Sequence, residues 1–406
     1  MRLVIIGLGA AGFAAALAIK KTDRKAELTI IDEKDYDLMH PCGLPFALEG
    51  KVKIENLKHP VNIAGVEKIK GKAKSIDVKN KKVLLENKEV EYDKLLIATG
   101  SSPFIPQGME KALVVKDPES VEEIQKKVKG KVTIVGAGAI GLETAFALSK
   151  KAEVEVIEML SQCFPNQIDP DISGILEDYL KSCNIKLSFN KKLDKITQPT
   201  IMAEGIRPNT GITKDTGIKV DKAIIVDETM QTNIQDIYAA GDVIMTKSLV
   251  NQKPSPAWIA SAAYKQGTVA GTNMAGGNSR FKGSLAPLVS VIGDIEVGAT
   301  GFNSSAAKKF GYDIIEGKSR SRTKPDWFED AEEIAVKLIA DKKTGKVIGG
   351  QAIGKQVKSK IDILSIAISS GFSLQQLSDQ ELAYCPAVSQ TYDVLTQAAD
   401  LALRKI

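Results

Sequence analysis

The sequence contains few of the residues that build metal centres and disulfide frameworks, with four cysteines and two histidines among 406 residues. Cys42, Cys163, Cys183 and Cys385 form no Cys-x-x-Cys pair. Because zinc sites depend on such spacing, we expect no metal in this protein. So few cysteines without a disulfide framework are typical of a reducing compartment, and a cytoplasmic location is expected.

A strong charge of one sign is also missing, because 55 basic residues are nearly balanced by 50 acidic ones. The net charge of +5 is scattered along the chain, so nucleic acid is not expected as a partner. The N-terminal apolar run resembles a signal peptide, but glycines at positions 7, 9 and 12 divide it into a strand and a helix. No other stretch approaches the roughly 18 apolar residues that span a bilayer. The composition predicts a soluble globular protein of two or three domains that does not enter a membrane.

An internal repeat organises the chain. The stretches "RLVIIGLGAAGFAAALAIKK" and "KVTIVGAGAIGLETAFALSKK" contain the same Gly-x-Gly-x-x-Gly pattern, formed by Gly7, Gly9 and Gly12 in one copy and by Gly136, Gly138 and Gly141 in the other. In each copy a β-branched run precedes the first glycine and a helical apolar pattern follows the third. A second predicted strand then ends in an acid, at Asp32 and at Glu158.

The chemistry of dinucleotide binding accounts for each part of this unit. The first glycine permits a tight turn, the second lets the backbone approach a pyrophosphate, and the third lets the helix pack on the strand. The helix N-terminus then faces the phosphates, and the acid accepts hydrogen bonds from ribose hydroxyls. The repeat therefore predicts two Rossmann-like dinucleotide sites, and two such sites in one chain indicate two cofactors that exchange electrons.

Three further segments resemble one known family. These are "LLIATGSSP" with Thr99 and Gly100, "AEGIRPNTGI", and "TNIQDIYAAGDV" with Gly241 and Asp242. Together with both fingerprints they resemble the flavin-dependent pyridine nucleotide-disulfide oxidoreductases over nearly the whole chain. The nearest branch is the single-cysteine one, which contains coenzyme A disulfide reductases, NADH oxidases and NADH peroxidases. The resemblance implies FAD at the first fingerprint, with Asp242 on the ribityl chain, and NADH or NADPH at the second.

The family layout implies an α/β fold with three domains. These are an FAD domain at residues 1–115 and 231–283, a nicotinamide nucleotide domain at 116–230, and a C-terminal α+β dimerisation domain at 284–406. The sequence departs from the family between Asn190 and Ala203, where a β-meander is usual, and it is also short between Gly50 and Gly71. We expect both reductions to change the surroundings of the active site.

Cys42 lies ten residues after Asp32, in the stretch "HPCGLPF". In the single-cysteine branch this position holds a redox-active thiol next to the flavin. Pro41 is a residue that can open a helix, and helix N-terminal amides favour the reactive thiolate. The positions five residues away on either side are Asp37 and Ala47, so Cys42 has no second cysteine in its own motif.

A lone thiolate beside a flavin has three uses. It can form a mixed disulfide with a small thiol such as coenzyme A, carry a persulfide, or cycle through sulfenic acid during reduction of oxygen or peroxide. Lys20, Lys21 and Arg24 stand where coenzyme A reductases of this branch have basic residues near the nucleotide phosphates. These lysines equally suit any helix C-terminus. The pattern favours the first two uses.

The C-terminal stretch "LAYCPAVSQ" resembles the segment that, in this branch, enters the active site of the other subunit of a homodimer. The resemblance implies that Tyr384 lies near the Cys42 of the partner subunit. Cys385 replaces the usual alanine, which leaves two hypotheses open: a resolving thiol, or a residue that only packs. Cys163 and Cys183 have no such context, so a structural role is expected for both.

The sequence predicts an enzyme that passes electrons from NAD(P)H through FAD and Cys42 to a disulfide, persulfide or polysulfide. The alternatives are an NADH oxidase or peroxidase, a ferredoxin or rubredoxin reductase, and a flavin-based redox sensor without turnover. Glu158 favours NADH, because it would repel the 2′-phosphate of NADPH, although Lys150 and Lys151 are close in sequence. The identity of the sulfur substrate does not follow from the sequence.

Overall fold

The computed structural model describes residues 1–405 and divides into two compact units. The first unit is assembled from three segments, Met1–Gly43, Lys53–Ser102 and Ile206–Ala286. The second contains Leu44–Val52, Pro103–Gly205 and the chain from Pro287 onward. Residues 206–230, placed by the sequence in the nicotinamide domain, lie in the first unit, and the division into three domains stays a prediction.

The elements follow one another in chain order. Residues 2–103 contain β1 (Arg2–Ile6), α1 (Ala10–Thr22), β2 (Glu27–Asp32), β3 (Leu38–Met39), α2 (Leu44–Glu49), β4 (Lys58–His59), β5 (Val66–Lys70), β6 (Ser75–Asp77), β7 (Lys82–Leu84), β8 (Glu89–Glu91), β9 (Lys94–Ile97) and β10 (Ser101–Pro103). Residues 118–208 contain α3 (Pro118–Lys127), β11 (Gly130–Val135), α4 (Ala139–Ser149), β12 (Ala152–Ile157), α5 (Pro170–Ser182), β13 (Ile185–Ser188), β14 (Thr200–Met202) and β15 (Ile206–Pro208).

The remaining elements complete the chain. Residues 224–274 contain β16 (Ile224–Ile225), β17 (Ile237–Ala239), β18 (Ile244–Lys247), β19 (Pro254–Ser255) and α6 (Ala260–Met274). Residues 288–403 contain β20 (Leu288–Ile292), β21 (Ile295–Gly301), α7 (Ser304–Lys309), β22 (Ile314–Arg322), β23 (Glu333–Asp341), β24 (Val347–Gly354), α8 (Val357–Ser369), α9 (Leu374–Ser378) and α10 (Val394–Leu403). Short 3₁₀ helices span Pro41–Gly43, Ile54–Leu57 and Gly211–Thr213.

A parallel five-stranded sheet with the order β17-β9-β1-β2-β5 forms the centre of the first unit. Its strand β1 is buried from Leu3 to Ile6, as expected of a central strand covered on both faces. Helix α1 packs closely on α6 because small residues face each other: a methyl group at Gly267 would lie only 2.1 Å from the Ala11 carbonyl oxygen. This sheet places the carboxyl ends of β1, β2 and β9 along one edge.

The second fingerprint lies in a parallel four-stranded sheet of the second unit, with the order β13-β12-β11-β14. Strands β11 and β12 pair in register from Gly130 to Val135, in the same way as β1 and β2. No strand is assigned to residues 189–199, within the described part of the chain, where a β-meander is usual. The side chains of Leu193 and Ile196 pack instead on the small cluster of Met109, Val135 and Met202.

The C-terminal part of the second unit is an antiparallel five-stranded sheet with the order β20-β21-β24-β23-β22. Helices α8 and α10 bury apolar residues, including Ile361 and Leu364 of α8 and Leu395 and Ala398 of α10. This α+β arrangement, together with the two parallel sheets, confirms the predicted fold class. Among the described residues, no helix combines the length and apolar character of a membrane span.

A buried ionic cluster connects α5 with this C-terminal sheet inside the second unit. The Lys337 ammonium lies 2.9 Å from Asp169 Oδ2, 3.3 Å from Asp171 Oδ1 and 3.4 Å from Glu316 Oε1. Gln351 exchanges two hydrogen bonds with Asp169, its Nε2 donating at 3.0 Å and its Oε1 accepting from the backbone at 2.8 Å. The start of α5 is therefore held to strands β22, β23 and β24 by polar contacts, at whose centre Lys337 and Asp169 are buried.

Candidate functional site

The first fingerprint has the geometry that a pyrophosphate requires. Gly7 has a φ of +101°, which glycine adopts readily and other residues rarely do. A methyl group at Gly12 would lie 1.9 Å from the Gly7 carbonyl oxygen, so α1 approaches the turn after β1 closely. Nothing lies within 4 Å of the position that a Gly9 side chain would occupy. The open space at Gly9 faces the helix N-terminus, where anions bind.

Asp32 closes this turn from the end of β2. Its Oδ2 accepts a hydrogen bond from the Leu8 amide at 2.5 Å, and its Oδ1 accepts one from the Lys34 amide at 2.9 Å. Leu8 is the residue between the first two glycines. The carboxylate is therefore held beside the phosphate-binding turn, at the position expected for an acid that accepts ribose hydroxyls.

The second fingerprint repeats this construction in the second unit. Gly136 has a φ of +108°, and a methyl group at Gly141 would lie 2.0 Å from the Gly136 carbonyl oxygen. The space at Gly138 is again open within 4 Å. The two Gly-x-Gly-x-x-Gly motifs therefore form the same turn.

Glu158 occupies the place that Asp32 has in the first copy. Its Oε2 accepts from the Ala137 amide at 2.9 Å and its Oε1 from the Leu160 amide at 2.8 Å. Glu204 carries a second carboxyl group close to it, and the pKa of Glu204 is raised by burial and by the negative charge of Glu158. Lys150, considered above as a phosphate partner, instead contacts Glu49 at 3.0 Å.

A set of hydrogen bonds joins two of the segments that resemble the family, both within the first unit. The Thr99 hydroxyl donates to the Asn209 carbonyl at 2.9 Å, and the Asn209 side-chain amide donates to the Thr99 carbonyl at 2.9 Å. The Asn209 backbone amide donates to the carbonyl of Gly100 at 2.9 Å. Gly100 has a φ of +63°, which explains the glycine at this turn. Sequence reasoning did not identify Asn209, although it lies in a quoted motif.

Asp242 begins the loop after β17. Its Oδ2 accepts a hydrogen bond from the Ser101 hydroxyl at 2.9 Å, and burial raises its pKa above the ordinary range. The preceding Gly241, with a φ of +85°, donates its amide to the buried Gln266 side chain at 2.9 Å. Burial disfavours the charged form of this carboxyl group, and hydrogen bonds to its oxygens favour that form. The group can therefore accept further hydrogen bonds from a ligand.

These features fit FAD in the first unit and a nicotinamide nucleotide in the second. The open positions at Gly9 and Gly138 leave room for backbone contact with a pyrophosphate, and the acids at the strand ends are already oriented. Asp242 supplies a partly buried acceptor for a polyol. The local geometry is thus compatible with both cofactors, and the roles of the individual residues stay predictions.

Cys42 lies in the 3₁₀ helix Pro41–Gly43 and is exposed. The Gly43 amide donates to the His40 carbonyl at 3.0 Å and closes this turn. A methyl group at Gly43 would lie 2.3 Å from a methyl carbon of Leu57, so the turn packs tightly on the next 3₁₀ helix. The fold thus presents the thiol on a rigid turn and does not bury it.

The other three cysteines differ in exposure. Cys163 is buried, and its pKa is raised mainly by that burial, which makes its thiol unreactive. Cys183 is half-buried at the end of α5. Cys385 is exposed, within the segment between α9 and α10. Only Cys42 and Cys385 are therefore presented to solvent.

Tyr384 is 51% exposed, beside Cys385 in the same segment. The Val388 amide donates to the Cys385 carbonyl at 3.0 Å, and the Ser389 hydroxyl accepts from the Cys385 amide at 3.2 Å. The segment is thus a structured turn that carries a phenol and a thiol at its surface.

The three basic residues proposed near nucleotide phosphates lie at the end of α1. The Lys20 ammonium donates to the Ala26 carbonyl at 2.7 Å and therefore closes the turn before β2. Lys20 therefore has a structural role at the end of the helix. Lys21 and Arg24 are exposed and remain available for contact with a phosphate.

Glu143 on α4 was not identified from the sequence. It accepts a hydrogen bond from the Ser290 hydroxyl at 2.6 Å, and burial raises its pKa. The sequence feature that could have identified Glu143 is its position two residues after Gly141, on the helix of the second fingerprint. No group of three or more metal-ligating side chains occurs among residues 1–405.

Comparison with known proteins places these features in context. The model of the pyridine nucleotide-disulphide oxidoreductase family matches residues 1–267, and the model of its dimerisation domain matches residues 289–395. An NADH oxidase of Methanocaldococcus jannaschii is 34% identical, over 100% of this chain and 99% of its own length. A CoA-dependent NAD(P)H sulfur oxidoreductase of Pyrococcus furiosus is 31% identical over 97% of each chain. The solved structure of an NAD-dependent persulfide reductase from A. fulgidus has a TM-score of 0.96 at 32% identity, covering 100% of this chain and 83% of that one.

Proposed function

The chain belongs to the pyridine nucleotide-disulphide oxidoreductase family, and we propose that it is an FAD-dependent enzyme that uses NADH to reduce sulfur–sulfur bonds at Cys42. The observation that carries the proposal is the exposed Cys42 thiol on a tight turn, in a chain with two matching dinucleotide-binding turns. The similarity to sulfur and persulfide reductases supports the same chemistry.

Different residues of the chain would bind the two cofactors and supply the nucleophile. Gly7, Gly9, Asp32 and Asp242 would hold FAD, and Gly136, Gly138 and Glu158 would hold the nicotinamide nucleotide. Bound flavin supplies the capacity to accept a hydride and to release two electrons to sulfur. Cys42 contributes the nucleophile, and its turn keeps the sulfur at a fixed position.

In the proposed reaction, Cys42 first takes up and then releases one sulfur group of the substrate. The thiolate attacks one sulfur of a substrate R–S–S–R′, forms the mixed disulfide Cys42–S–S–R and releases R′S⁻. An electron pair that originates from NADH breaks this bond, restores the Cys42 thiolate and releases RS⁻. The two product thiolates take up the proton released with the hydride and one from water. When R′ is hydrogen, the substrate is a persulfide and one product is hydrosulfide.

Coenzyme A derivatives are the proposed substrate class. The exposed Lys21 and Arg24 offer two positive charges that suit the phosphates of coenzyme A, and the P. furiosus relative is described as CoA-dependent. Lys20 would contribute less, because its ammonium is already bound to a backbone carbonyl. We propose a cytoplasmic location for the reaction.

We further propose that the enzyme is a homodimer in which Tyr384 and Cys385 of one subunit enter the active site of the other. The dimerisation-domain match and the exposure of Tyr384 support this arrangement. Tyr384 would then donate a proton to the departing thiolate. Cys385 would attack the mixed disulfide Cys42–S–S–R, release RS⁻ and form a Cys42–Cys385 disulfide, and on this route the electron pair from NADH reduces that disulfide in place of the mixed one.

A second candidate function is NADH oxidase, favoured by the M. jannaschii relative of that description. In that case Cys42 cycles between thiolate and sulfenic acid, and oxygen or peroxide takes the place of the disulfide. Oxygen uptake that matches NADH consumption without added disulfide is the sign of this alternative.

The test combines mass spectrometry of the purified protein with turnover measurements. We expect an adduct of coenzyme A or of additional sulfur on Cys42, and loss of more than 99% of NADH-dependent disulfide reduction in Cys42→Ser. Cys183→Ser is the matched control, because it changes a half-buried thiol outside the site. Undiminished turnover in Cys42→Ser would reject the proposal, and a sulfenic acid on Cys42 would favour the oxidase.

A further inference from the structure

Both histidines of the chain meet beside the turn that carries Cys42. The ring centroids of His40 and His59 are 4.9 Å apart with an interplanar angle of 74°. Strands β3 and β4 pair antiparallel, with Leu38 opposite His59 and Met39 opposite Lys58. Because side chains alternate along a strand, His40 lies on the same side as Leu38 and reaches His59 diagonally. The pairing of β3 with β4 thus brings two imidazoles together from positions 19 residues apart in the sequence.

The imidazole pair and the thiol share one short stretch of backbone. The His40 carbonyl accepts from the Gly43 amide, so Cys42 lies inside a turn that His40 begins. Two steps of about 3.8 Å separate the Cα atoms of His40 and Cys42, so these Cα atoms cannot be more than about 7.6 Å apart. The hairpin therefore brings both imidazoles to the turn that carries the thiol.

The other charged and titratable groups around the pair are already engaged or point elsewhere. Lys34 and Lys58 lie over the ring of Tyr36, at 5.3 and 5.1 Å from its centroid, and Asp37 is bound by Lys68 at 2.8 Å. The 3₁₀ helix behind the turn adds the exposed Glu55, next to the exposed Lys53. None of these groups ordinarily changes its charge between pH 5 and 8, whereas imidazoles do.

The edge-to-face contact suits a charged ring beside a neutral one. Two imidazolium rings at 4.9 Å would repel each other, whereas the positive edge of one ring is attracted to the face of a neutral neighbour. A charge on either ring would add a cation to the hairpin that leads into the turn of Cys42. A cation close to a thiol favours the thiolate.

We propose that His40 and His59 are positioning residues for Cys42: a positive charge on this imidazole pair increases the thiolate fraction of Cys42. The proposal rests on the proposed function, because it assigns Cys42 the role of nucleophile. The pair makes no covalent contribution and acts only through its charge. Its effect disappears once the pH rises above the imidazole range, because the neutral pair no longer stabilises the thiolate.

The test measures the reactivity of Cys42 without turnover. The full-length flavoprotein is alkylated with iodoacetamide between pH 5.5 and 9.5, and the rate at Cys42 is followed by mass spectrometry of its peptide. We expect the double variant His40→Gln/His59→Gln to react about two- to fivefold more slowly at pH 6, the effect of one charge about 4 to 8 Å from the thiol in a mostly aqueous medium. At pH 9 its rate should equal that of the wild type within about 1.5-fold. Each single variant should lose less, because the other ring still carries the proton.

A permanent charge separates this role from a structural one. His40→Lys should restore fast alkylation at pH 6 and extend the advantage to pH 8, where the wild-type pair is neutral. Lys58→Gln is the matched control, because it removes a cation from the same hairpin that points at Tyr36, and it should leave the pH profile unchanged. A profile in the double variant identical to that of the wild type would overturn the inference, and so would failure of His40→Lys to restore the rate.

The outcome is independent of the proposed function. If Cys42→Ser retains full turnover, the enzymatic role of Cys42 fails, yet the alkylation profiles still report whether the pair controls its ionisation. If turnover requires Cys42 but the histidine variants alkylate like the wild type, only the role of the pair fails. Flavin content and melting temperature, measured for each variant, identify any loss of folding, and His40→Lys provides a second test at the same exposed position.

Discussion

One carboxylate at the end of β2 and another at the end of β12 close the two phosphate-binding turns. At the second turn we expect this residue also to select the nucleotide. Both oxygens of Glu158 accept backbone amides, so its carboxylate cannot turn away from an additional phosphate. Glu204 adds a second carboxyl group, and Lys150 is occupied by Glu49. We therefore expect the site to disfavour the 2′-phosphate of NADPH.

We predict that NADH is used with at least a tenfold higher kcat/KM than NADPH. Glu158→Ala should narrow this ratio below about threefold, mainly by lowering the efficiency with NADH. Steady-state kinetics with both nucleotides provide the measurement, and Glu153→Ala, on the solvent-exposed part of β12, is the control. A higher efficiency of the wild type with NADPH would show that Glu158 does not select the nucleotide.

A second prediction at the residue scale concerns Asp242 and flavin retention. Its carboxyl group is partly buried and accepts only the Ser101 hydroxyl among its described hydrogen bonds. We predict that Asp242→Asn raises the FAD dissociation constant at least tenfold, because one acceptor for a polyol is lost. Release of flavin fluorescence after dilution measures this change. Asp227→Asn, at an exposed turn of the same unit, should retain FAD as the wild type does, and equal retention by both variants would contradict the assignment.

At the scale of elements, the buried cluster around Lys337 couples α5 to the C-terminal sheet. Burial lowers the pKa of Lys337, but its bond to Asp169 and the charges of Asp171 and Glu316 outweigh that effect, so its pKa is raised. Burial raises the pKa of Asp171, but hydrogen bonding to Lys318 and the charge of Lys337 outweigh it, so its pKa is lowered. The cluster therefore stabilises the fold between the two titrations, above about pH 4 and below about pH 10.

We predict that Lys337→Met lowers the free energy of unfolding at pH 7 by about 3 kcal/mol, because it leaves the buried Asp169 carboxylate without a counter-charge. Lys318→Met, which removes a half-exposed partner of Asp171, should cost less than about 1 kcal/mol. Urea titrations followed by circular dichroism measure both. The difference between Lys337→Met and the wild type should shrink as the pH falls below about 4. A constant difference down to pH 2.5 would show that ion pairing is not its source.

The elements differ in how far the sequence determines them. Both strand-turn-helix units were predictable, because the tight turns after β1 and β11 need glycine at positions 7 and 136. A short local sequence pattern is enough to reveal this requirement. The hairpin of β3 and β4 was not, because its register joins Leu38 to His59 through long-range packing. Asn209 and Lys337 were missed for the same reason: their partners Thr99 and Asp169 lie more than 100 residues away in sequence, and nothing in their local sequence signals the contact.

At the scale of the whole molecule, the proposed dimer requires that Tyr384 and Cys385 of one subunit complete the active site of the other. Removing the C-terminal tail is a poor test, because α10 follows Tyr384 and buries Leu395 and Ala398 in its own subunit. Gln397 of that helix also accepts a hydrogen bond from the Ser319 hydroxyl at 2.8 Å. A truncated chain would lose part of its core, so point substitutions in the exposed turn are the better choice.

We predict that subunits inactivated in two different ways complement each other. Cys42→Ser lacks the nucleophile, and Tyr384→Ala/Cys385→Ser lacks the side chains proposed to cross the interface, so each homodimer should be inactive in disulfide reduction while it retains FAD. A mixed dimer unites the intact Cys42 of one chain with the intact turn of the other, which makes one working site of two. After complete exchange about half of the dimers are mixed, so activity should return to about a quarter of the wild-type value. Differently tagged chains allow purification of the mixed dimer as a control for exchange. If purified mixed dimers remain inactive, Tyr384 and Cys385 do not serve the partner's site.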